Sequence, residues 1–405
     1  MSMPTAALSS LFALIAVVAA THPIDSPDRL SAHEWGTFTT VAGPDGRATN
    51  WLPLGGPTDL PCFVEHFQDL RLLKVIPGLT QPIDYASVRA RLWGKVRMET
   101  PVIYFYAPRE MDVDVSVRFP RGWMTEWYPH ASVAQPYITG STLGTATHTS
   151  TIEWKGVRLS PSARATFPTG NGESHYYAAR GTEATPLRVE KQWEKFLFYR
   201  GVADFDVPLA ASIADNGAVR ITNLASDTLP AVVLFEKRGD KLGYRIHRSL
   251  TGSVTLDAPT LNGSFEALHS DLERMLIGAG LWPREAAAMV DTWRDSWFEE
   301  GMRVFYIVPR ATVDAILPLE IKPAPDNVAR VFVGRMDVLT PHVIQTVEQA
   351  IARNDQAALA HHARLLGPVS ERILAKTTDA ATTARIREFT NNALRAYVRR
   401  AEVCE

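Results

Sequence analysis

Residues 97–129, RMETPVIYFYAPREMDVDVSVRFPRGWMTEWYP, carry a hydrophobic pattern that predicts three strands in close succession. Val102, Ile103, Tyr104, Phe105 and Tyr106 form an unbroken β-branched and aromatic run, as expected of a strand buried on both faces. Thr100 precedes Pro101 and is expected to be held extended. After the turn Pro108-Arg109-Glu110, residues 111–119 alternate strictly: Val113, Val115, Val117 and Phe119 fall on one side, and Asp112, Asp114, Ser116 and Arg118 on the other. That is a sheet with one wet face. A third strand places Trp123, Thr125 and Trp127 on one face and Met124, Glu126 and Tyr128 on the other.

Period-two segments recur elsewhere. His33 to Val41 reads as a strand, Ile152 to Leu159 as another, and hairpins are expected around Asp215-Asn216-Gly217 and Arg238-Gly239-Asp240. Glu65 to Ile76 fits a short helix, whereas residues 130–151 and 160–174 read as loops. From Ser264 the period changes to that of a helix, with Leu268, Leu272 and Leu276 on one face. A second helix begins at Pro283 and carries Met289, Val290, Trp293 and Trp297. Strands at 303–308 and 328–336 are expected to rejoin an earlier sheet, and Thr340-Pro341 opens a helical tail broken at Gly367-Pro368. The fold class is therefore β-rich α+β: an N-terminal mixed sheet region, a β-sandwich-like middle, and helices with returning strands toward the C-terminus. The corresponding segments are 1–20 (signal peptide), 21–189, 190–260, 261–340 and 341–405.

Composition changes this picture at one end only. Residues 6–20 are almost wholly apolar, short for a bilayer crossing, and finish in Val18-Ala19-Ala20, the pattern of a cleaved secretory signal. Export to the periplasm or the extracellular space is expected, with no transmembrane segment after cleavage. An oxidising compartment would allow Cys62 and Cys404 to form a disulfide; the alternative is two unrelated thiols. A net charge of -2 and the lack of a basic, aromatic-interleaved stripe argue against nucleic acid as a partner.

The chemistry-bearing candidates are few, because loops and motifs for nucleotide, zinc-finger and serine-nucleophile chemistry are missing. His33-Glu34 is one concentrated pair, although on a strand the two side chains point to opposite faces. Glu99 and Glu126 are a second pair: two carboxylates facing one cleft could act as acid and base in hydrolysis of a polar polymer. Their structural alternative is ion pairing, Glu99 with Lys95 or Arg97 and Glu126 with Arg118 or Arg121. Trp35, Trp123, Trp127 and Tyr128, with Arg97, could line such a cleft and stack on sugar rings, and Trp127-Tyr128-Pro129 is the stretch expected to be exposed. His66, His130, His148 and His175 could join Glu34 or Glu126 at a metal, but no spacing among them is diagnostic and no cofactor is indicated.

In HEWGTFT (33–39), RMETPVIYFY (97–106), TEWYP (125–129), WFEEGMRVFYIVP (297–309) and VFVGR (331–335), the chain resembles a family of exported bacterial proteins of unknown activity. The resemblance implies a shared fold and export and transfers no catalytic residue. Three functions stay open: a hydrolase of carbohydrate or another polar polymer, a non-catalytic carbohydrate-binding or envelope-scaffolding protein, and a metal-dependent enzyme with His and Glu ligands.

Overall fold

The computed structural model describes residues 29–54, 60–67, 92–135, 148–170, 174–362 and 365–376, with a few positions between 380 and 388. The strands of the first half are β1 (Ser31–Val41), β2 (Glu65–His66), β3 (Val96–Tyr106), β4 (Met111–Phe119), β5 (Gly122–Tyr128), β6 (Val133–Gln135) and β7 (Ser150–Leu159). A 3-10 helix (His175–Arg180) precedes β8 (Leu187–Val189), β9 (Gln192–Glu194), β10 (Phe196–Ala203), β11 (Leu209–Ile213) and β12 (Val219–Asn223). The second half adds β13 (Leu229–Arg238), β14 (Lys241–Leu250), β15 (Ser253–Leu256), β16 (Gly301–Ile307), β17 (Leu319–Lys322) and β18 (Asn327–Val338). Helices are α1 (Phe265–Gly278), α2 (Pro283–Thr292), α3 (Arg294–Trp297), α4 (Arg310–Ile316), α5 (Pro341–Arg353), α6 (Gln356–His361) and α7 (Leu366–Leu374).

Among the described residues, nine strands form the central sheet in the order β14-β13-β16-β18-β1-β3-β10-β5-β2. The sheet is mixed: β1 runs parallel to β18 and antiparallel to β3. One face packs on a sheet built around β4 and β7, through Phe38, Met98, Ile103 and Phe105 against Val113, Val115, Phe119 and Trp154. Helices α1 to α3 cover the other face, through Leu268, Met289, Val290 and Trp297 against Trp35, Tyr104, Phe305 and Val333. Covering on both sides explains why β1 and β3 are buried at every position, whereas β4, at the outer layer, keeps its strict alternation. The chain is a β-rich α+β fold whose helices lie toward the C-terminus, and the strands near 303–308 and 328–336 do return to the central sheet. That sheet draws strands from each of the segments 21–189, 190–260 and 261–340. The middle hairpins split, β13 and β14 entering it while β11, β12 and β15 make a three-stranded sheet.

Local chemistry fixes the helix ends. The Ser264 hydroxyl accepts from the Ala267 amide to cap α1. Pro283 occupies the first turn of α2, and the second helix stops at Trp293, with α3 following, rather than running on to Gly301. Residues 65–66 form a short edge strand where the sequence predicts the start of a helix, because Glu65 and His66 pair with Trp127 and Glu126; the expected helix from residue 68 onward lies outside the described residues.

Thr100 is not extended. Its φ is +46°, in the left-handed region, and it forms the centre of a bulge in β3 where one residue is gained relative to both β1 and β10. Gly36 sits opposite: a Cβ there would lie 2.7 Å from Phe332 and 3.1 Å from the Pro101 backbone, so only glycine fits under the bulge. A second bulge, in β5 at Thr125, puts Trp123, Met124 and Trp127 into the same apolar layer, which breaks the simple alternation expected for that strand.

Candidate functional site

The sequence candidates fall into three places. Glu34 projects toward the sheet built around β4 and β7, where Arg330 Nε approaches its carboxylate at 2.5 Å and the Tyr199 hydroxyl donates to the other oxygen. Both members of the ion pair are almost completely buried, at 0% and 2% exposed. Burial works against the Arg330 charge, and Glu34, together with Tyr199 and a second ion pair to Asp314 at 2.7 Å, more than restores it, so its pKa stands above the ordinary guanidinium value. Burial likewise raises the Tyr199 phenol well above its usual range, with the Glu34 charge adding to it.

His33 points the opposite way, as the strand period requires, and meets α2. Its Nδ1 lies 2.9 and 3.0 Å from the two carboxylate oxygens of Glu285. Glu285 also accepts from the Tyr106 hydroxyl at 2.7 Å and from the Trp282 amide at 2.8 Å, capping the helix. The imidazole is wedged edge-on between Tyr106 and Trp282, and its Nε2 is buried with no partner among the described residues.

Glu99 and Glu126 share the helix-facing side of the sheet but are not neighbours, because β10 runs between their strands. Arg200 stands in register with Glu126 and donates to the Thr100 hydroxyl at 3.2 Å. Glu99 pairs with Arg97 at 3.3 Å, the expected structural alternative, whereas Lys95 bonds Asp206 at 2.8 Å. Glu126 accepts from the Thr125 hydroxyl and is 3% exposed. Thr37 and Thr39 of β1 lie opposite Glu99 and Arg97, and Arg335 lies beside Thr39 on β18. The bulges aim these groups into one polar row across the sheet. Within it, Glu99 Oε2, Thr37 Oγ1, Thr39 Oγ1 and Arg335 Nε have no hydrogen-bond partner among the described residues. Burial opposes the Arg335 charge, and Asp337, Glu299 and Glu99 hold it above the ordinary value.

None of these groups opens to solvent: His33, Glu34, Glu99 and Glu126 are 1%, 0%, 2% and 3% exposed. The aromatic candidates are equally sealed, with Trp35, Trp123, Trp127 and Tyr128 at 0%, 0%, 1% and 3%. Trp127-Tyr128 is thus a core segment, contrary to the exposure expected from its neighbouring proline and polar loop. Trp127 Nε1 donates inward to Glu65 at 3.1 Å, and Tyr128 packs on Phe63 at 4.8 Å.

Among the histidines, His66 lies in register with Glu126, His148 packs on Trp123 at 4.7 Å, and His175 opens the 3-10 helix. His130 is different. Its Nδ1 lies 2.8 Å from Glu65, its backbone N–H donates to Gln192 at 2.6 Å, and its side chain is 21% exposed while Glu65 is 5% exposed. Among the described residues, no three His, Cys, Asp or Glu side chains group closely enough to hold a metal ion. Cys62 is exposed, and Cys404 lies outside the described residues, as does the expected signal segment. Among the described residues no helix is long and apolar enough to cross a membrane.

Sequence reasoning missed the partners more than the candidates. Glu285, Arg330, Tyr199, Arg200 and Glu65 complete the clusters, and one of them left a local signal: Trp282-Pro283-Arg284-Glu285 has the proline and third-position glutamate of a helix start. No protein-family model matches the chain, and no curated protein matches it.

Proposed function

We propose that this is an exported binding or envelope-scaffolding protein, and that its buried carboxylates and tryptophans serve the fold and not a hydrolytic reaction. The observation that carries this reading is the sealing of His33, Glu34, Glu99 and Glu126, none more than 3% exposed and each engaged by a neighbouring side chain. An acid and a base acting on a polymer must reach the scissile bond and a water molecule. A carboxylate between strands, beside a guanidinium and beneath a covered sheet face, reaches neither. Buried ion pairs of this kind contribute to a unique packing more readily than to net stability, because desolvation offsets much of the attraction.

Export is part of the proposal, supported by the apolar segment at 6–20 and the small residues that end it. The test is a panel of soluble polysaccharides assayed for both binding and release of reducing ends, with the wild type and the Glu99→Gln and Glu126→Gln variants. Binding without turnover, unchanged by either replacement in folded protein, is expected. Turnover that disappears in one of the folded variants would overturn the reading.

A further inference from the structure

One region of the molecule combines half-open aromatic rings with a polar group fixed in place but not used up. Phe63, Phe167 and Tyr177 are all partly exposed, unlike the sealed tryptophans of the core, and they surround a single guanidinium. Arg180 Cζ lies 5.9 Å from the Phe63 ring, 5.4 Å from Phe167 and 5.0 Å from Tyr177. Arg180 is held from below by Glu194, which its Nε and Nη2 approach at 2.9 and 2.6 Å, and it also donates to the Pro168 carbonyl at 2.8 Å. With its charge answered by Glu194, the guanidinium acts as a post that orients the rings. The site is thus not an anion trap.

The His130 pair adjoins this cluster. Gln192 and Glu194 lie two residues apart on one face of β9, a separation of about 7 Å; the first accepts from the His130 N–H and the second holds Arg180. Tyr128 lies between the two: its ring packs on Phe63 at 4.8 Å, and burial, with the Glu194 charge adding to it, raises its phenol above the usual range. The imidazole is fixed by Glu65 at Nδ1, which leaves Nε2 as the group that can meet a ligand. Aromatic faces beside a fixed hydrogen-bonding imidazole and a side-chain amide match the alternating apolar and hydroxyl-bearing surfaces of a sugar ring. Two carboxylates, Glu65 and Glu194, stand against one guanidinium here, which disfavours acidic polymers.

We propose that the surface beside the β2 edge of the central sheet, built from Phe63, Phe167, Tyr177, His130 and Gln192 around Arg180, is a binding site for a neutral polysaccharide. The proposal rests on the non-catalytic binding reading above and gives it a location and a ligand class. Rings of Phe167 and Tyr177 stack on the sugar, and His130 Nε2 bonds a hydroxyl.

The experiment titrates full-length mature protein with xylohexaose, cellohexaose, chitohexaose, maltohexaose and polygalacturonate, following imidazole ¹H–¹⁵N resonances and calorimetric heat. Saturable binding of at least one neutral hexasaccharide is expected, with the His130 Nε2 signal moving and the His33 signal unmoved. Phe167→Ala is expected to weaken that binding about ten-fold, and His130→Gln by about three- to ten-fold. A single cooperative melting transition well above the assay temperature and unchanged circular dichroism exclude misfolding, and Glu99→Gln serves as the variant that leaves affinity unaltered. Binding untouched by both edge variants would overturn the location while leaving the binding reading intact. Release of reducing ends from the bound sugar would instead overturn the non-catalytic reading. No saturation by any neutral oligosaccharide up to about 10 mM, or preference for polygalacturonate, would overturn the ligand class.

Discussion

Two carboxylate–imidazole pairs in this protein have the same chemistry and different surroundings. His33 and Glu285 are each 1% exposed, and the pair is shared among Tyr106, Trp282 and the start of α2. His130 and Glu65 have nearly the same Nδ1-to-carboxylate distance, 2.8 Å against 2.9 Å, yet His130 is 21% exposed. The difference teaches that pairing alone does not mark a functional histidine. What separates the two is whether the second ring nitrogen reaches solvent and whether the carboxylate has other structural duties. In the first pair the glutamate caps a helix and joins it to the sheet; in the second it orients one ring and receives one indole N–H.

Breaking the sealed pair should cost the most. Glu285→Ala removes the partner of a buried imidazole, a buried phenol and a helix-start amide together, and is expected to destabilise the fold by about 3–5 kcal/mol in urea titration. Glu34→Gln belongs to the same class, since it removes the buried one of the two carboxylates that pair with Arg330 and leaves only the half-exposed Asp314, 2.7 Å from Nη1. A loss of about 3 kcal/mol is expected, and a stability equal to wild type would contradict the assignment of Glu34 to the fold. Glu99→Gln is milder, about 1–3 kcal/mol, because Glu99 already has one oxygen without a partner and its Arg97 contact is long.

The half-open pair should respond least in stability. His130→Gln is expected to shift the urea midpoint by less than about 1 kcal/mol, the scale of one partly exposed hydrogen bond. A smaller effect still comes from the half-buried contact between α1 and β14, where the Tyr244 hydroxyl donates to Asp271 at 2.7 Å. That bond, with Arg274 nearby, holds the Asp271 carboxyl below its ordinary pKa of 3.8. Burial, together with the Asp271 bond and charge, pushes the Tyr244 phenol up to about 12. A carboxyl lowered on folding contributes stability above its unfolded pKa and loses it as pH falls through the lower folded value. Asp271→Asn should therefore cost a little at neutral pH and nothing once the carboxyl is protonated in acid. Melting curves at both pH values check this.

How much of this was legible depended on range. The strict alternation of 111–119 and the long apolar run of 102–106 reported their burial correctly, because period and burial are local consequences of one strand. The opposite facing of His33 and Glu34 followed from the same period. Thr100 went the other way: the pre-proline preference for extended backbone is real but weak, and packing of Pro101 over Gly36 overrode it. The exposure of Trp127 and Tyr128 was unreadable, since an indole beside a proline and a polar loop looks the same whether it faces a cleft or a second sheet. The partners that disarm the candidates lie far along the chain, Glu285 at 252 residues from His33 and Arg330 at 296 from Glu34. No local pattern encodes a contact of that separation.

The comparison between the two histidines can be tested in one measurement on the native protein: carbethoxylation by diethyl pyrocarbonate, mapped residue by residue by mass spectrometry. The account predicts that His130 is modified while His33 resists until the protein is unfolded. Modification of His33 as fast as that of His130 would mean that the sheet face around it is open, and would contradict the assignment of the His33–Glu285 pair to the fold.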